Sequence, residues 1–140
     1  MTSPATPTGV LEAAVYVEDL DKTEAFYAGV VGLDVITRRD PRHIFFACGP
    51  TVVLAFVAEE TVVPPGDDQL PVPPHGATGP GHICFSVPGE ELDGWAAYLV
   101  DKGIDIESDF NWPHGPRSIY VRDPAGNSVE FAEPKLWGLS

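Results

Sequence analysis

The 140-residue sequence contains an internal repeat, and this repeat limits the possible folds more than any other feature. Gly32-Leu33-Asp34-Val35 and Gly103-Ile104-Asp105-Ile106 match position for position. Each run follows a stretch with helical periodicity, and each helix is preceded by a strand-like segment, 10–17 or 82–87. Because repeated sequence indicates a repeated supersecondary unit, the fold is predicted to consist of two similar modules.

Each copy continues with three predicted strands, which gives the order βαβββ twice. Pro, Gly and Asn in 123–127 favour a tight turn before the last strand of the second copy. The first helix is predicted to begin at Asp21, because the run from Asp21 to Glu24 resembles a capping box. The strands predicted directly after the two helices start with 33–36 and 104–106. The later strands are predicted at 43–48 and 51–57 in the first copy, and at 118–122 and 128–132 in the second.

Composition divides the chain into a leader and one domain, 10–138. Residues 1–9 are rich in Ser, Thr and Pro and are predicted to form a flexible leader. Module 1 (10–63) and module 2 (81–135) are joined by a predicted extended linker, 64–80, which holds six prolines and three glycines. Because a single module would expose one face of its sheet, we expect the two sheets to pack on each other or on a second subunit.

The balance of charge is acidic, with 21 Asp and Glu against 8 Lys and Arg and a formal net charge of −13. This argues against nucleic acid and anionic membrane surfaces as partners, because both require clustered cations. No apolar run approaches the roughly 20 residues of a membrane span, and the N-terminal segment lacks the apolar stretch of a signal peptide. We therefore expect a cytoplasmic protein.

The alternation of side chains along a strand separates an apolar face from a face of small residues. In three predicted strands the second face carries one side chain that can bind a metal. Small residues beside such a side chain leave room for a ligand. The three side chains are Glu12, His82 and Glu130.

Superposition of the two repeats places these side chains in related positions. Glu12 and His82 are equivalent in the opening strands, and alignment of the glycines in the two turns puts Val53 opposite Glu130. If the modules pair about a pseudo-twofold axis, all four positions converge, with Val53 as a pocket residue. Two carboxylates and one imidazole leave open positions on a divalent metal, as a catalytic site requires.

Each of these side chains also has a structural interpretation. An isolated His82 is compatible with a hydrogen-bonded structural imidazole, and Glu130 with a surface carboxylate on an edge strand. Glu12 is compatible with an ion pair to an arginine such as Arg117 or Arg122.

Further pocket candidates surround the proposed metal ligands. Tyr120 is a candidate proton donor or substrate hydrogen-bond partner, with a packed tyrosine as the alternative. Cys84 shares the face of His82 and shows no sign of an activated nucleophile. Trp112 and His114 lie on a predicted loop, a position from which side chains often cover a site. A solvated loop histidine is the alternative for His114.

Three runs of sequence carry a family resemblance that spans about 11–137. They are Val17-Glu18-Asp19-Leu20 with Phe26-Tyr27 and Gly32-Leu33, then 81–87 (GHICFSV), then 118–130 (SIYVRDPAGNSVE). These runs resemble the vicinal oxygen chelate superfamily of glyoxalases, bleomycin-resistance proteins and extradiol dioxygenases. The resemblance implies an α+β fold of two βαβββ modules whose curved mixed sheets enclose a cavity. It also implies a homodimer, with either intrachain or swapped pairing of the modules.

The resemblance implies a divalent metal between paired modules, with ligands from the opening and closing strands. His82 and Glu130 match the expected ligand types, whereas position 12 is usually His in metal-dependent members and is Glu12 here. Val53 would provide no fourth ligand, which disfavours the four-ligand glyoxalase I pattern. The implied function is a small-molecule enzyme in which Mn, Fe, Zn, Mg or Ni chelates two neighbouring substrate oxygens and stabilises an oxyanion.

Two other classes of function remain open. The first is a metal-free binding protein of the bleomycin-resistance type, which would sequester a small cationic ligand between aromatic side chains such as Trp112, Tyr120 and Trp137. The second is a regulatory binding module. Stoichiometric metal in the purified protein distinguishes the enzyme from both.

Overall fold

The computed structural model describes residues 2–140, which contain two four-stranded mixed sheets. The first sheet consists of β1 (Glu12–Val17), β2 (Asp34–Arg39), β3 (His43–Cys48) and β4 (Thr51–Val57), in the order β1-β4-β3-β2. The second consists of β5 (His82–Ser86), β6 (Ser108–Asn111), β7 (Arg117–Arg122) and β8 (Ser128–Ala132), in the order β5-β8-β7-β6. The predicted α+β fold of two βαβββ modules is confirmed. The two sheets do not close into a barrel.

Helices follow the opening strand of each module. Helix α1 (Leu20–Glu24) continues as a π-helical segment, Ala25–Val30. A short helix after β4, α2 (Ala58–Thr61), was not predicted. Helix α3 (Leu92–Asp101) follows a 3₁₀ turn in the second module. No helix within residues 2–140 is long and apolar enough to cross a membrane.

Helix α1 begins earlier than the capping box predicted. Asp19 is the N-cap, because its Oδ1 accepts a hydrogen bond from the backbone N of Lys22 at 3.0 Å. The Thr23 hydroxyl donates to the Asp19 carbonyl at 2.7 Å. The prediction of Asp21 as the helix start was therefore wrong, and Asp21 lies within the first turn.

The repeated glycines end the first helix of each module. Gly32 has φ +91° and Gly103 has φ +76°, a left-handed conformation that favours glycine. The predicted start of the next strand at Ile104 was wrong, because β6 begins only at Ser108. Ile104 and Ile106 instead pack against the hydrophobic core, in the segment between α3 and β6.

One hydrophobic core joins the two modules. It contains Val15 from β1, Tyr27 from the π-helical segment and Phe85 from β5, together with Leu99 from α3. The rings of Tyr27 and Phe85 lie 6.3 Å apart between centroids. Apolar residues of both modules are therefore buried in one shared core.

The strand register corrects the predicted equivalence of Val53 and Glu130. β1 pairs in parallel with β4, with Ala14 opposite Leu54, and β5 pairs in parallel with β8, with Cys84 opposite Glu130. Leu54 is therefore the counterpart of Glu130. Val53 is 3% exposed and lies in the core, so its assignment to the pocket was wrong. The alignment slipped by one residue because the turns before the two closing strands differ in length.

The turn between β7 and β8 holds the modules together through buried polar groups. Asn127 Nδ2 donates to the carbonyl of Tyr16 at 2.9 Å, and its Oδ1 accepts from the backbone N of Gly81 at 2.7 Å. The Tyr27 hydroxyl donates to Asp123 at 2.7 Å. This turn therefore contacts β1, the π-helical segment and the start of β5.

The linker 64–80 contains no helix or strand but is attached to the first module. The backbone N of His75 donates to the carbonyl of Thr61 at 3.0 Å. Tyr16 Oη and His75 Nδ1 share a hydrogen bond of 2.6 Å. In the predicted leader, residues 2–9 are exposed, and Met1 lies outside the described residues.

Candidate functional site

His82 and Glu130 meet on the face of the second sheet that points away from the core. Nε2 of His82 lies 3.3 Å from Oε1 of Glu130. The side chain of His82 is 51% exposed, whereas that of Glu130 is 6% exposed. Because β8 lies between β5 and β7, Glu130 is on a central strand, and the edge-strand interpretation does not apply.

Each of the two side chains is oriented by contacts to its other polar atom, which is Oε2 in Glu130 and Nδ1 in His82. The Ser118 hydroxyl, itself buried, donates to Oε2 of Glu130 at 2.6 Å and accepts from Nε1 of Trp112 at 2.9 Å. Nδ1 of His82 lies 3.2 Å from the carbonyl of Ser128 and 3.3 Å from its hydroxyl. When Nδ1–H donates to this carbonyl, Nε2 presents its lone pair beside Glu130.

A row of aromatic rings extends from this pair along the same face. The ring centroids of His82 and Tyr120 are 6.2 Å apart, and those of Tyr120 and Phe110 are 6.0 Å apart. Trp112 continues the row, 4.9 Å from Phe110. Phe110 was not among the pocket residues predicted from the sequence, because the start of its strand was predicted at Ile104 rather than Ser108. The position of Phe110 two residues before Trp112 was the available signal.

Tyr120 and Cys84 border the carboxylate of Glu130 and are both held in their neutral forms. Burial, followed by the nearby charge of Glu130, raises the pKa of Tyr120. The same two causes, in the same order, raise the pKa of the Cys84 thiol to about 12. At neutral pH both groups carry their protons, so each is a hydrogen-bond donor rather than a nucleophilic anion.

Glu12 does not join His82 and Glu130 within the chain. Among residues 2–140, no group of three or more His, Cys, Asp or Glu side chains is placed to hold a metal ion. Glu12 is exposed at the start of β1. It also has neither of the arginine partners considered for it, because Arg117 binds Asp109 and Asp93, and Arg122 binds Glu107.

The remaining predicted residues lie in other surroundings. Nε2 of His114 is 3.3 Å from the carbonyl of Leu136, in the C-terminal 3₁₀ turn. Trp137, in the same turn, is 78% exposed. Trp112 lies on the same side of the sheet as Glu130, because its Nε1 donates a hydrogen bond to the hydroxyl of Ser118, which binds Glu130.

The geometry of His82 and Glu130 is compatible with two ligands of one divalent ion. Two ligands bound at about 2.1 Å are separated by about 3.0–3.4 Å in octahedral or tetrahedral geometry. The observed separation of 3.3 Å lies in this range. The outer contacts to Ser118 and Ser128 resemble those that orient metal ligands. Within residues 2–140 this pair alone falls short of the three protein ligands that a catalytic metal site has.

The family model of the Glyoxalase/Bleomycin resistance protein/Dioxygenase superfamily matches residues 9–131. This match covers both modules. The chain belongs to this superfamily, which is also called the vicinal oxygen chelate superfamily.

Individual relatives include two proteins named as enzymes. The crystal structure of lactoylglutathione lyase from Agrobacterium tumefaciens is 40% identical, with a TM-score of 0.92 over 96% of this chain and 100% of that one. Catechol-2,3-dioxygenase from Bacillus subtilis (strain 168) is 28% identical over 136 residues, and the match covers 94% of this chain. The chain spans less than half of that dioxygenase, 43% of its length.

A more distant structure shows the fold alone. TioX from Micromonospora sp. ML1 is 19% identical, with a TM-score of 0.68 over 89% of this chain and 98% of that one.

Proposed function

We propose that the chain is a small-molecule enzyme of the vicinal oxygen chelate superfamily that uses a divalent metal, Mn, Fe, Zn, Mg or Ni. His82 and Glu130 would hold the ion. The observation that carries the proposal is the 3.3 Å separation of their donor atoms, with Ser118 and Ser128 orienting the outer atoms. When bound, such an ion supplies Lewis-acid stabilisation of negative charge on two neighbouring substrate oxygens.

The third protein ligand in this proposal is Glu12 of a second copy of the chain. Glu12 is exposed on β1, which is the edge strand of the first sheet, and it has no ion pair among the described residues. A second copy can therefore approach it. The active form would be a homodimer with a site at each of two equivalent contacts.

The other side chains of the site bind and orient the substrate. Ser118 fixes the carboxylate of Glu130 through Oε2, and Oε1 lies beside Nε2 of His82. The neutral phenol of Tyr120 would donate a hydrogen bond, or a proton, to a substrate oxygen beside His82. Phe110 and Trp112 would contact the apolar part of the substrate and exclude water from it.

The proposed metal ligands limit which reactions are expected. Leu54, the counterpart of Glu130 in the first module, offers no fourth ligand, which argues against the four-ligand glyoxalase I arrangement. The two named relatives indicate which substrates to assay first. These are S-lactoylglutathione and catechol.

Metal content tests the proposal directly. Protein purified without chelator is expected to contain a stoichiometric divalent metal, which Glu130→Gln and His82→Gln lose. Glu107→Gln is the matched control, because Glu107 lies in the second module and pairs with Arg122 rather than with His82. Absence of bound metal, together with no rise in Tm on addition of Mn²⁺, Fe²⁺, Zn²⁺, Ni²⁺ or Mg²⁺, would exclude the metal enzyme.

Mixed dimers test the role of Glu12. In a dimer of one Glu12→Gln chain and one Glu130→Gln chain, a site shared between copies regains one intact set of ligands. A site within one chain regains none. Recovery of metal binding in the mixed dimer, with none in either variant alone, supports the shared site, and no recovery contradicts it.

A metal-free binding protein is the second candidate. It is favoured by the row from Tyr120 to Trp112, because aromatic faces beside the buried carboxylate of Glu130 suit a planar cation. Binding of proflavine by metal-free protein, lost in Glu130→Gln, would support it. The cytoplasmic location and the small-molecule substrate stay predictions under either function.

A further inference from the structure

A cavity of about 540 Å³ lies in the first module, away from His82 and Glu130. Its walls are the turn between β2 and β3, helix α2 and the linker, and none of its lining residues belongs to the second module. Its volume is within the range of small-molecule sites, about 300–1,000 Å³. Four charged residues line it: Arg39, Asp40, Arg42 and Glu60.

The two arginines of this cavity differ from the other arginines of the chain. Arg38, Arg117 and Arg122 each form an ion pair with at least one carboxylate. Among residues 2–140, Arg39 and Arg42 form none, although acidic residues outnumber basic ones by 21 to 8. The two arginines without a carboxylate partner therefore line the same cavity.

Arg42 is held in place by contacts that leave most of its donors free. Its NH1 donates to Nδ1 of His43 at 2.7 Å, and its guanidinium lies 5.5 Å from the ring centroid of Phe56. Because a guanidinium carries only donors, Nδ1 of His43 accepts and the imidazole is neutral. Burial, followed by the charges of Arg42 and Arg39, lowers the pKa of His43. The remaining N–H groups of Arg42 are available to an anion.

The linker wall of the cavity is also attached to the module. The backbone N of Gly66 donates to Oε1 of Gln69 at 2.8 Å, which closes a turn at the rim. A Cβ at Gly76 would lie 2.6 Å from Cγ1 of Val62, so the linker passes directly against the end of α2. Leu70 and Val72 line the cavity from the linker, and Val63 lines it from the end of the first module.

We infer that this cavity binds a small organic monocarboxylate through Arg39 and Arg42, with its apolar part against the linker. Asp40 contacts Arg38 at 2.9 Å rather than Arg39 or Arg42, so neither arginine of the cavity is engaged by a carboxylate. The four charged residues of the lining carry two positive and two negative charges, so the lining suits a monoanion such as one carboxylate better than a phosphate dianion. Arginine binds carboxylates through paired, charge-assisted hydrogen bonds. The site is independent of the metal proposed above.

Calorimetric titration of the full chain with hexanoate tests the inference, with hexanamide as the uncharged probe of the same shape. Hexanoate is expected to bind. Hexanamide is expected to bind more weakly than hexanoate, by about tenfold or more. Arg39→Gln and Arg42→Gln are each expected to weaken hexanoate binding about tenfold or more. Arg122→Gln is the matched control, because it removes the same charge from the second module and leaves binding unchanged.

Four results would overturn the inference. The first three are that hexanoate does not bind, that hexanamide binds as well as hexanoate, and that both arginine variants bind hexanoate as the wild type does. The fourth is that Glu130→Gln loses hexanoate binding, which would show that hexanoate binds at the proposed metal site instead. Because Arg42 also packs on Phe56, the circular dichroism spectrum of Arg42→Gln is compared with that of the wild type. Arg39 is exposed, so Arg39→Gln tests the site without this packing change.

Discussion

The Tyr27 hydroxyl donates a hydrogen bond of 2.7 Å to Oδ2 of Asp123 and so connects the helical segment of the first module with the closing turn of the second. Both residues are buried. Asp123 Oδ1 also accepts from the backbone N of Ala125 and of Asn127, at 2.9 Å each. Burial, followed by the charge of Asp123, raises the pKa of Tyr27, so the phenol remains a donor.

Tyr27→Phe is expected to lower the free energy of unfolding by about 1.5–3 kcal/mol, because it removes a hydrogen bond to a buried charged group. Tyr98→Phe is the matched control. The Tyr98 hydroxyl donates at 2.7 Å to the uncharged carbonyl of Val30, also between modules, and its loss is expected to cost about 0.5–1.5 kcal/mol. Urea unfolding measures both. If Tyr98→Phe loses as much free energy of unfolding as Tyr27→Phe, or more, the charge of Asp123 does not strengthen the Tyr27 hydrogen bond.

The repeat in the sequence was sufficient to predict the two βαβββ modules, because strand alternation and the glycines at helix ends are local signals. Gly32 and Gly103 both end helices, as expected. Ile104 and Ile106 were misassigned to a strand because an apolar alternation satisfies core packing as well as sheet pairing. The sequence carries no local signal that separates these two environments.

Part of the candidate site was predicted because strand alternation is a local signal. His82 and Glu130 were placed on one face by alternation, and the structure brings their donor atoms to 3.3 Å. Val53 was misplaced because a difference of turn length shifts a strand by one residue and reverses its faces. The arginine cavity could not be predicted, since its character depends on which carboxylates pair with Arg39 and Arg42 in three dimensions.

His43 is expected to make stability depend on pH. Its pKa is lowered in the folded protein from the ordinary value of 6.5, mainly by burial. The unfolded chain therefore binds more protons at this position, and the free energy of unfolding falls as pH falls through about 6.5. Urea unfolding at about pH 7.5 and about pH 5.5 should show a larger loss for the wild type than for His43→Phe.

His114→Gln is the control for this measurement, because His114 is exposed. It should lose as much stability on acidification as the wild type. Equal losses in the wild type and His43→Phe would show that His43 does not contribute.

Arg38 is expected to stabilise the first module in a salt-dependent way. Its guanidinium lies 2.7 Å from Asp21, 3.0 Å from Glu24 and 2.9 Å from Asp40, which connects α1 with the end of β2. Because these groups reach solvent, salt should screen them. The Tm difference between wild type and Arg38→Gln should be larger at about 0.1 M than at about 1 M NaCl.

Arg39→Gln gives the matched comparison for Arg38. It removes the same charge from the neighbouring residue, which has no ion pair among the described residues. Its Tm should change less than that of Arg38→Gln at the lower salt concentration. Identical shifts in the two variants would indicate a general effect of net charge rather than the three contacts of Arg38.

Ser118 is expected to control metal affinity without binding the metal. Its hydroxyl holds Oε2 of Glu130 at 2.6 Å, so Ser118→Ala frees the carboxylate to rotate and leaves a buried oxygen without its donor. Loss of such an outer contact typically lowers metal affinity about 10- to 100-fold. Ser128→Ala should lower it far less, because the backbone carbonyl of residue 128 remains 3.2 Å from Nδ1 of His82. Titration of both variants with Mn²⁺ and Zn²⁺, at matched helical content, measures the difference. Equal affinities in the wild type and both variants would show that the ion is not held by an oriented Glu130.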